Sequence, residues 1–238
     1  MTTTDAATNN TVPPTRGRPR TVSLEQIVEA AIRVADRAGF EAVSLRAVGR
    51  ELGMHPTSLY TYVADGDTLV GLLVEHMASR VRLCDVHAAD PIAEVRRWCE
   101  NIRALELAHP GLLHLAGHGP ATATSARQAD AVIGTLAAAG LDIEQARATY
   151  SLLLHFLFGA TLSAAAEARL GPVDTGALLA AAAELPHLSA AVNAAMPRDA
   201  DAAFHQELDL LLRVMVPALA RRERTPAGPA QERGAFHG

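Results

Sequence analysis

At 238 residues and 49% hydrophobic content, the chain is long enough for one large or two smaller packed domains, which excludes a disordered or fibrous polypeptide. Its formal charge of −5, from 21 basic and 26 acidic residues, excludes a protein that binds nucleic acid through bulk positive charge, so any basic face must be local. Every basic residue is arginine, a bias expected of a GC-rich genome, and two cysteines, Cys84 and Cys99, are too few for a disulfide framework. Reduced thiols in a cytoplasmic protein are the expectation, and the polar N-terminus lacks the apolar segment of a signal peptide.

Residues 1–15 are polar and expected to be disordered, the first part of a basic arm over 1–19. Arg16-Gly-Arg18-Pro-Arg20 follows, three arginines in five residues held extended by glycine and proline. Such an arm suits a minor groove or a run of phosphates, with a partnerless basic tail as the bland alternative. Ser23 and Gln26 form a capping-box start, Ile27, Ala30, Ala31, Val34 and Ala35 make an apolar stripe, and Gly39 closes this first helix. Residues 44–63, SLRAVGRELGMHPTSLYTYV, read as two short helices joined by a tight turn. Ser44 is the N-cap, Leu45, Val48 and Leu52 face inward, and Arg46 and Arg50 lie off that stripe. Gly53 suits the left-handed end of the helix and Pro56 suits the first position of the next. Leu59 is expected to point inward and to leave Thr57, Ser58, Tyr60 and Thr61 as polar groups able to reach phosphates and base edges, with Tyr62 packing on the sugar-phosphate backbone or against the domain. That is the layout of a helix-turn-helix reader of double-stranded DNA, and residues 1–80 carry eight arginines against nine acids, so any positive face must be made locally. A fourth helix begins at Asp65 or Gly66 and carries Leu69, Leu72, Leu73, His76, Met77 and Arg80 along one side, a connector to the rest of the chain.

Residues 20–77 resemble the DNA-binding domain of the TetR family of bacterial transcriptional regulators. The likeness lies in Ala30-Ala31, Gly39-Phe40, Ser44-Leu45, Leu52-Gly53, Ser58-Leu59-Tyr60-Thr61-Tyr62-Val63 and Leu69, and the form of residues 45–63 is most similar to the tetracycline-repressor branch. The resemblance implies an all-α homodimeric repressor, with a helix-turn-helix domain over 20–82 and a helical ligand-binding and dimerisation domain over 83–222, released from a palindromic operator by a small-molecule effector. Its DNA-binding residues would be Arg16, Arg18, Arg20, Ser44, Leu45, Arg46, Pro56, Thr57, Ser58, Tyr60, Thr61 and Tyr62. Two departures matter. Relatives usually carry a lysine where this chain has Gly66 between Asp65 and Asp67, and tetracycline-binding members place a histidine where this chain has Arg82, so tetracycline is not the expected ligand.

The second domain reads as helical throughout, with a break over Asp85–Pro91 and helices near 91–108, 110–116, 122–139, 142–170, 174–184, 186–196 and 200–220, then a loose tail over 223–238. The near charge-free stretch from Thr149 to Ala166 could be mistaken for a membrane span, yet Ser151, His155, Thr161 and Ser163 favour burial in protein, and no membrane partner is expected. Leu152, Leu153, Phe156, Leu157, Leu162 and, on the last helix, Phe204, Leu208, Leu211, Leu212, Met215 and Leu219 are expected to form either a four-helix dimer seam or the monomer core. An apolar pocket is expected among Trp98, Ile102, Leu105, His109, Leu113, His114, Leu136, Tyr150, Leu154, His155, Phe158 and Leu162, each of which would serve equally as a core or surface residue. His114 and His118 have zinc-like spacing, but Gly117 and Gly119-Pro120 interrupt any helix between them, so no metal is expected. No phosphate loop, GxSxG elbow or Cys/His nucleophile pair occurs, so neither cofactor nor enzymatic activity is expected. The competing readings are a DNA-binding regulator without an effector and an all-α enzyme or metal-binding protein.

Overall fold

The computed structural model describes residues 22–115, 119–171, 180, 184–193 and 199–216, and every regular element among them is helical. The arm with Arg16, Arg18 and Arg20, most of the 174–184 helix, the ends of the 186–196 and 200–220 helices, and the tail lie outside the described residues.

Helix α1 (Leu24–Ala38) starts where the sequence places it: Ser23 Oγ accepts from the Gln26 N–H at 3.2 Å and Gln26 Oε1 accepts from the Ser23 N–H at 3.0 Å. Gly39, at φ 83°, ends it in a conformation that disfavours any side chain. A short 3₁₀ turn, η1 (Phe40–Ala42), leads to α2 (Leu45–Leu52), α3 (Pro56–Leu59) and the connector α4 (Gly66–Ser79). Ile27, Ala30, Ala31 and Ala35 of α1 close over Leu45 and Val48 of α2, Leu59, Val63, Leu69 and Leu73 in one buried cluster.

Helices α5 (Pro91–Ala108), α6 (Ala123–Ala138), α7 (Ile143–Leu170), α8 (Pro186–Asn193) and α9 (Ala200–Met215) make the body. Its core joins Val95, Trp98 and Cys99 of α5, Val132 and Leu136 of α6, Leu153 and Leu157 of α7, and Phe204, Leu208 and Leu212 of α9. Residues 110–115, expected as an ordinary helix, form a tighter 3₁₀ segment, η2 (Pro110–Leu115). Asp90, Thr122, Asp142 and Asp199 cap the N-termini of α5, α6, α7 and α9 through side-chain oxygens. Both cysteines are buried free thiols.

Helix α7 is long and apolar enough to cross a membrane by length and composition. Its Ala146, Leu153 and Leu157 are already committed to the core of the helical body. Of the two expectations for these apolar residues, Leu153, Leu157, Phe204, Leu208 and Leu212 fall to the core, since all are buried within one chain. The face left over is different. Leu152 (43% exposed) and Leu162 (49%) of α7 and Leu210 (62%) and Val214 (69%) of α9 stand in solvent, because a helix that fills the core on one side turns the intervening positions outward.

Candidate functional site

The reading unit is built from backbone outward. Ser44 Oγ caps α2 by accepting from the Ala47 N–H at 3.2 Å. Gly53 adopts a left-handed φ of 64°, and the turn folds back so closely that a Cβ on Gly49 would stand 3.0 Å from the Met54 carbonyl oxygen and 3.4 Å from Pro56 Cα. The Met54 N–H donates to the Gly49 carbonyl at 2.8 Å in that space. Gly49 is therefore a structural requirement of the turn that sequence reasoning missed, since a glycine inside a helical pattern carries no signal of close approach by itself.

His55 is a second missed residue. Its Nδ1 lies 3.0 Å from Thr57 Oγ1 and accepts, more weakly, from the Thr57 N–H at 3.4 Å, which makes His55 the N-cap of α3. With Nδ1 accepting from the amide, the Thr57 hydroxyl is the donor in the shorter of the two contacts. Thr61 Oγ1 donates to the Ser58 carbonyl at 2.8 Å. Helix α3 is only one turn long, with Tyr60–Tyr62 in a turn beyond it. Thr57, Ser58, Tyr60, Thr61 and Tyr62 are exposed, while Leu59 and Val63 are fully buried beneath them and hold that edge in place. Arg46 is exposed on α2 and Arg50 on its last turn, and neither forms an ion pair among the described residues, whereas Arg33 and Arg37 of α1 share Glu51 at 3.1 and 2.8 Å. Leu45 is buried and Pro56 half-buried, so both serve the frame of the reading edge.

At the start of α4, Asp65 Oδ1 accepts from the Thr68 N–H and hydroxyl, both at 2.7 Å, and these bonds hold its carboxyl below the usual range. Nothing lies within 4 Å of a Cβ on Gly66, so the position tolerates a side chain even though the chain carries none there.

The reader is joined to the body at two places. In the first, η2 presses on the last turn of α1. A Cβ on Gly111 would fall on the Ala35 carbonyl and within 2.6 Å of the Asp36 nitrogen, so only glycine permits the approach. His109 Nδ1 lies 2.9 Å from Asp36 Oδ2, and Leu112 enters the core of the reader. In the second, α4 is tied to the body at its C-terminal end. Buried Gln128 of α6 donates through Nε2 to the carbonyls of Val81 at 2.6 Å and Ala78 at 3.2 Å, and its Oε1 accepts from Trp98 Nε1 at 3.0 Å. Glu75 of α4 accepts from the backbone N–H and hydroxyl of Thr124, which lowers its pKa.

A cavity of about 160 Å³ opens between α4, α5 and η2, walled by Val74, Met77, Val81, Ile102, Leu105 and Leu115, with Glu106 as its one ionisable group. Of the residues expected to make a pocket, Ile102 and Leu105 line this cavity, and His109 lines a neighbouring cleft with Asp36 and His76. The rest are not gathered around it. Trp98 is 1% exposed and engaged with Gln128, with Tyr150 tilted against it at 6.0 Å between ring centroids. Leu113 and Leu136 are buried, Tyr150 and Leu154 are packed against the core, and Phe158 is half-buried. His155 and Leu162 are corrected: both face solvent, because they lie on the outer side of α7 from Leu153 and Leu157. The side chain of His114, and His118 altogether, lie outside the described residues. Glu106 was missed, since a single glutamate in a helical pattern reads as surface.

Residues 27–64 match the family model described as bacterial regulatory proteins, tetR family, and residues 88–215 match that of the tetracyclin repressor-like C-terminal domain. Among relatives, the chain is 34% identical over 118 residues to the HTH-type transcriptional repressor DrrR1 of Streptomyces coeruleorubidus, covering 48% of this chain and 42% of that repressor. It is 26% identical over 212 residues to the Tetracycline repressor protein class E of Escherichia coli, covering 86% of this chain and 96% of that protein. In fold it is similar to the Streptomyces coelicolor TetR family protein ActR, solved in complex with actinorhodin, at a TM-score of 0.69 and 22% identity, over 82% of this chain and 96% of that one. A matched reader followed by a matched tetracyclin repressor-like C-terminal domain, in a chain whose turn glycines and caps build a helix-turn-helix, leaves one conclusion: the chain belongs to the TetR family of DNA-binding transcriptional regulators.

Proposed function

We propose that this protein is a homodimeric repressor that binds a two-fold symmetric operator and is released by a small, largely apolar molecule seated at the α4–α5 junction. Residues 20–82 are its reader and 83–222 its effector and dimer domain. Thr57, Ser58 and Thr61 read bases, Tyr60 and Tyr62 rest on the sugar-phosphate backbone, and Ser44, Arg46 and the arm arginines Arg16, Arg18 and Arg20 hold phosphates. The bare stripe of Leu152, Leu162, Leu210 and Val214 supports pairing of two copies through α7 and α9. It acts in the cytoplasm, where its DNA is.

The observation that carries the effector reading is the placement of the cavity. Its wall includes the connector and η2, the two elements that fix the reader to the body, so a molecule that spreads them changes the separation of two readers. A coupling of about 1–3 kcal/mol would weaken operator binding roughly 5- to 150-fold. That ActR was solved with a bound small molecule supports the same reading. A regulator without an effector is the second reading, favoured by the full burial of Trp98, Leu136, Leu153 and Leu157 in the centre of the body. The deciding experiment is a gel shift of DNA from the protein's own upstream region, titrated with compounds that raise its melting temperature. Stabilising compounds that reverse the shift support the effector model. If none of them alters DNA binding, the second reading replaces it.

A further inference from the structure

The cavity between α4, α5 and η2 has apolar walls and one charged group in them. Glu106 Oε2 is buried with no hydrogen-bond partner among the described residues. The Thr161 hydroxyl on α7 acts on the carboxyl electrostatically, yet the two do not meet in a hydrogen bond of normal geometry, and Thr161 Oγ1 is likewise buried without a partner among the described residues. Burial pushes the Glu106 carboxyl above the ordinary carboxylate range, and Thr161 only tempers that shift. Nor does a cation come to its aid. Arg103, one turn away, is turned to Asp201 at 2.6 Å and to the Phe204 ring, and His109 is paired with Asp36. Glu106 is half-buried with its Oε2 shut off from solvent, and an unpartnered carboxylate oxygen of this kind costs stability and, in a cleft, is a candidate for ligand contact.

We propose that Glu106 is the specificity-determining residue of the effector site and that the effector is an amphipathic organic cation, a protonated amine on an aromatic or aliphatic body. This rests on the effector reading given above and adds the chemistry of the ligand to it. The ammonium supplies the donor that Oε2 lacks and the charge that no wall residue provides, while the apolar body replaces water against Val74, Leu105 and Leu115. Size gives the coupling. A cavity of about 160 Å³ matches one small ring, since an apolar void of about 150 Å³ holds a benzene molecule. The coupling we propose is that the part of a larger ligand seated between α4 and α5 spreads them, a movement that would displace the reader.

The test uses three probes of one shape, biphenylmethylamine, biphenylmethanol and biphenylcarboxylate, with the full-length protein. Calorimetry and thermal shift measure binding, and a gel shift of the upstream DNA measures release. The amine is expected to bind about tenfold or more tightly than the alcohol, and the carboxylate most weakly, since a charge-assisted bond is roughly twice as strong as a neutral one. In Glu106→Gln the preference for amine over alcohol should vanish, while the melting temperature without ligand holds or rises and DNA binding persists. Equal binding of amine and alcohol to the unaltered protein, or an amine preference that survives in Glu106→Gln, overturns the assignment, as does failure of the amine to bind at millimolar concentration. The two readings separate cleanly. Amine-selective binding that never releases DNA supports the site and removes the effector model, whereas release by all three probes alike keeps the effector model and overturns the role of Glu106.

Discussion

The joint between reader and body can be tested with one methyl group, Gly111→Ala. The added carbon would stand 2.6 Å from the Asp36 nitrogen, with the carbonyl carbon and oxygen of Ala35 nearer still. All three are backbone atoms of the last turn of α1, so no side chain can swing aside. Non-bonded carbon and carbonyl oxygen normally rest at about 3.3–3.6 Å. The 3₁₀ segment must therefore lift from α1 by ~1 Å, drawing Leu112 out of the reader's core and stretching the His109–Asp36 contact. Overpacking of this kind costs about 1–3 kcal/mol. At a middle value the melting temperature should fall by roughly 4–8 °C for a chain of this length. Gly71→Ala on α4 is the matched control: nothing lies within 4 Å of its Cβ, and a helical glycine replaced by alanine should be neutral or stabilising by roughly 0.4–1 kcal/mol. Differential scanning fluorimetry gives the stability, and titration of labelled upstream DNA, with and without a stabilising compound, gives the coupling. The expected pattern is a lower melting temperature and a blunted ligand response for Gly111→Ala, with neither change for Gly71→Ala. A Gly111→Ala protein that melts with the unaltered one and releases DNA normally would refute the joint.

Replacing Arg16, Arg18 and Arg20 together by alanine should flatten the salt dependence of DNA binding, and Gly66→Lys should steepen it by about one unit for each additional phosphate neutralised, both read from affinity against ionic strength. Gln128→Ala leaves the Trp98 N–H and the Val81 carbonyl without their buried partner, and should destabilise the protein by about 1–3 kcal/mol in a urea melt; a neutral result would mean α4 is held elsewhere. Leu162→Glu, on the exposed stripe, should yield monomers by light scattering with helical content unchanged by circular dichroism, and a stable dimer would place the seam on another face. Glu94 is held down to about 2 by its bond from Arg97, with further help from the Asp85 N–H and Arg82. A depressed carboxyl stabilises the fold above its unfolded value near 4.5 and loses that contribution as pH falls towards 2, so Glu94→Gln should be less stable at neutral pH and converge with the unaltered protein at the acid end of a pH–stability curve.

Much of the reader was legible in the chain because its signals are local. Ser23 with Gln26, Ser44 three residues before Ala47, Gly39, Gly53 and Pro56 each satisfy a backbone need within one turn, and the structure places the caps and breaks of α1, α2 and α3 at those residues. The apolar periods likewise announced every described helix of the body, since a stripe at helical spacing needs no knowledge of its partner. What periodicity could not decide was which apolar residues face the interior and which a second copy. Leu152 and Leu153 are neighbours in sequence and equally hydrophobic, yet one is exposed and the other buried, and only the docking of α7 on α5, α6 and α9 makes the difference. The walls of the cavity are hidden for the same reason: Trp98 and Leu136 have the chemistry of a binding wall but are buried in the core, whereas Glu106, Gly111 and Gln128 look ordinary in the chain. Their roles come from the cavity that α4 and η2 close around Glu106, from the press of Gly111 on α1 and from the bonds of Gln128 to the end of α4, partners far away in sequence. Local hydrogen bonding is written in neighbouring residues; close approach, burial of charge and the joint between domains exist only once distant segments meet.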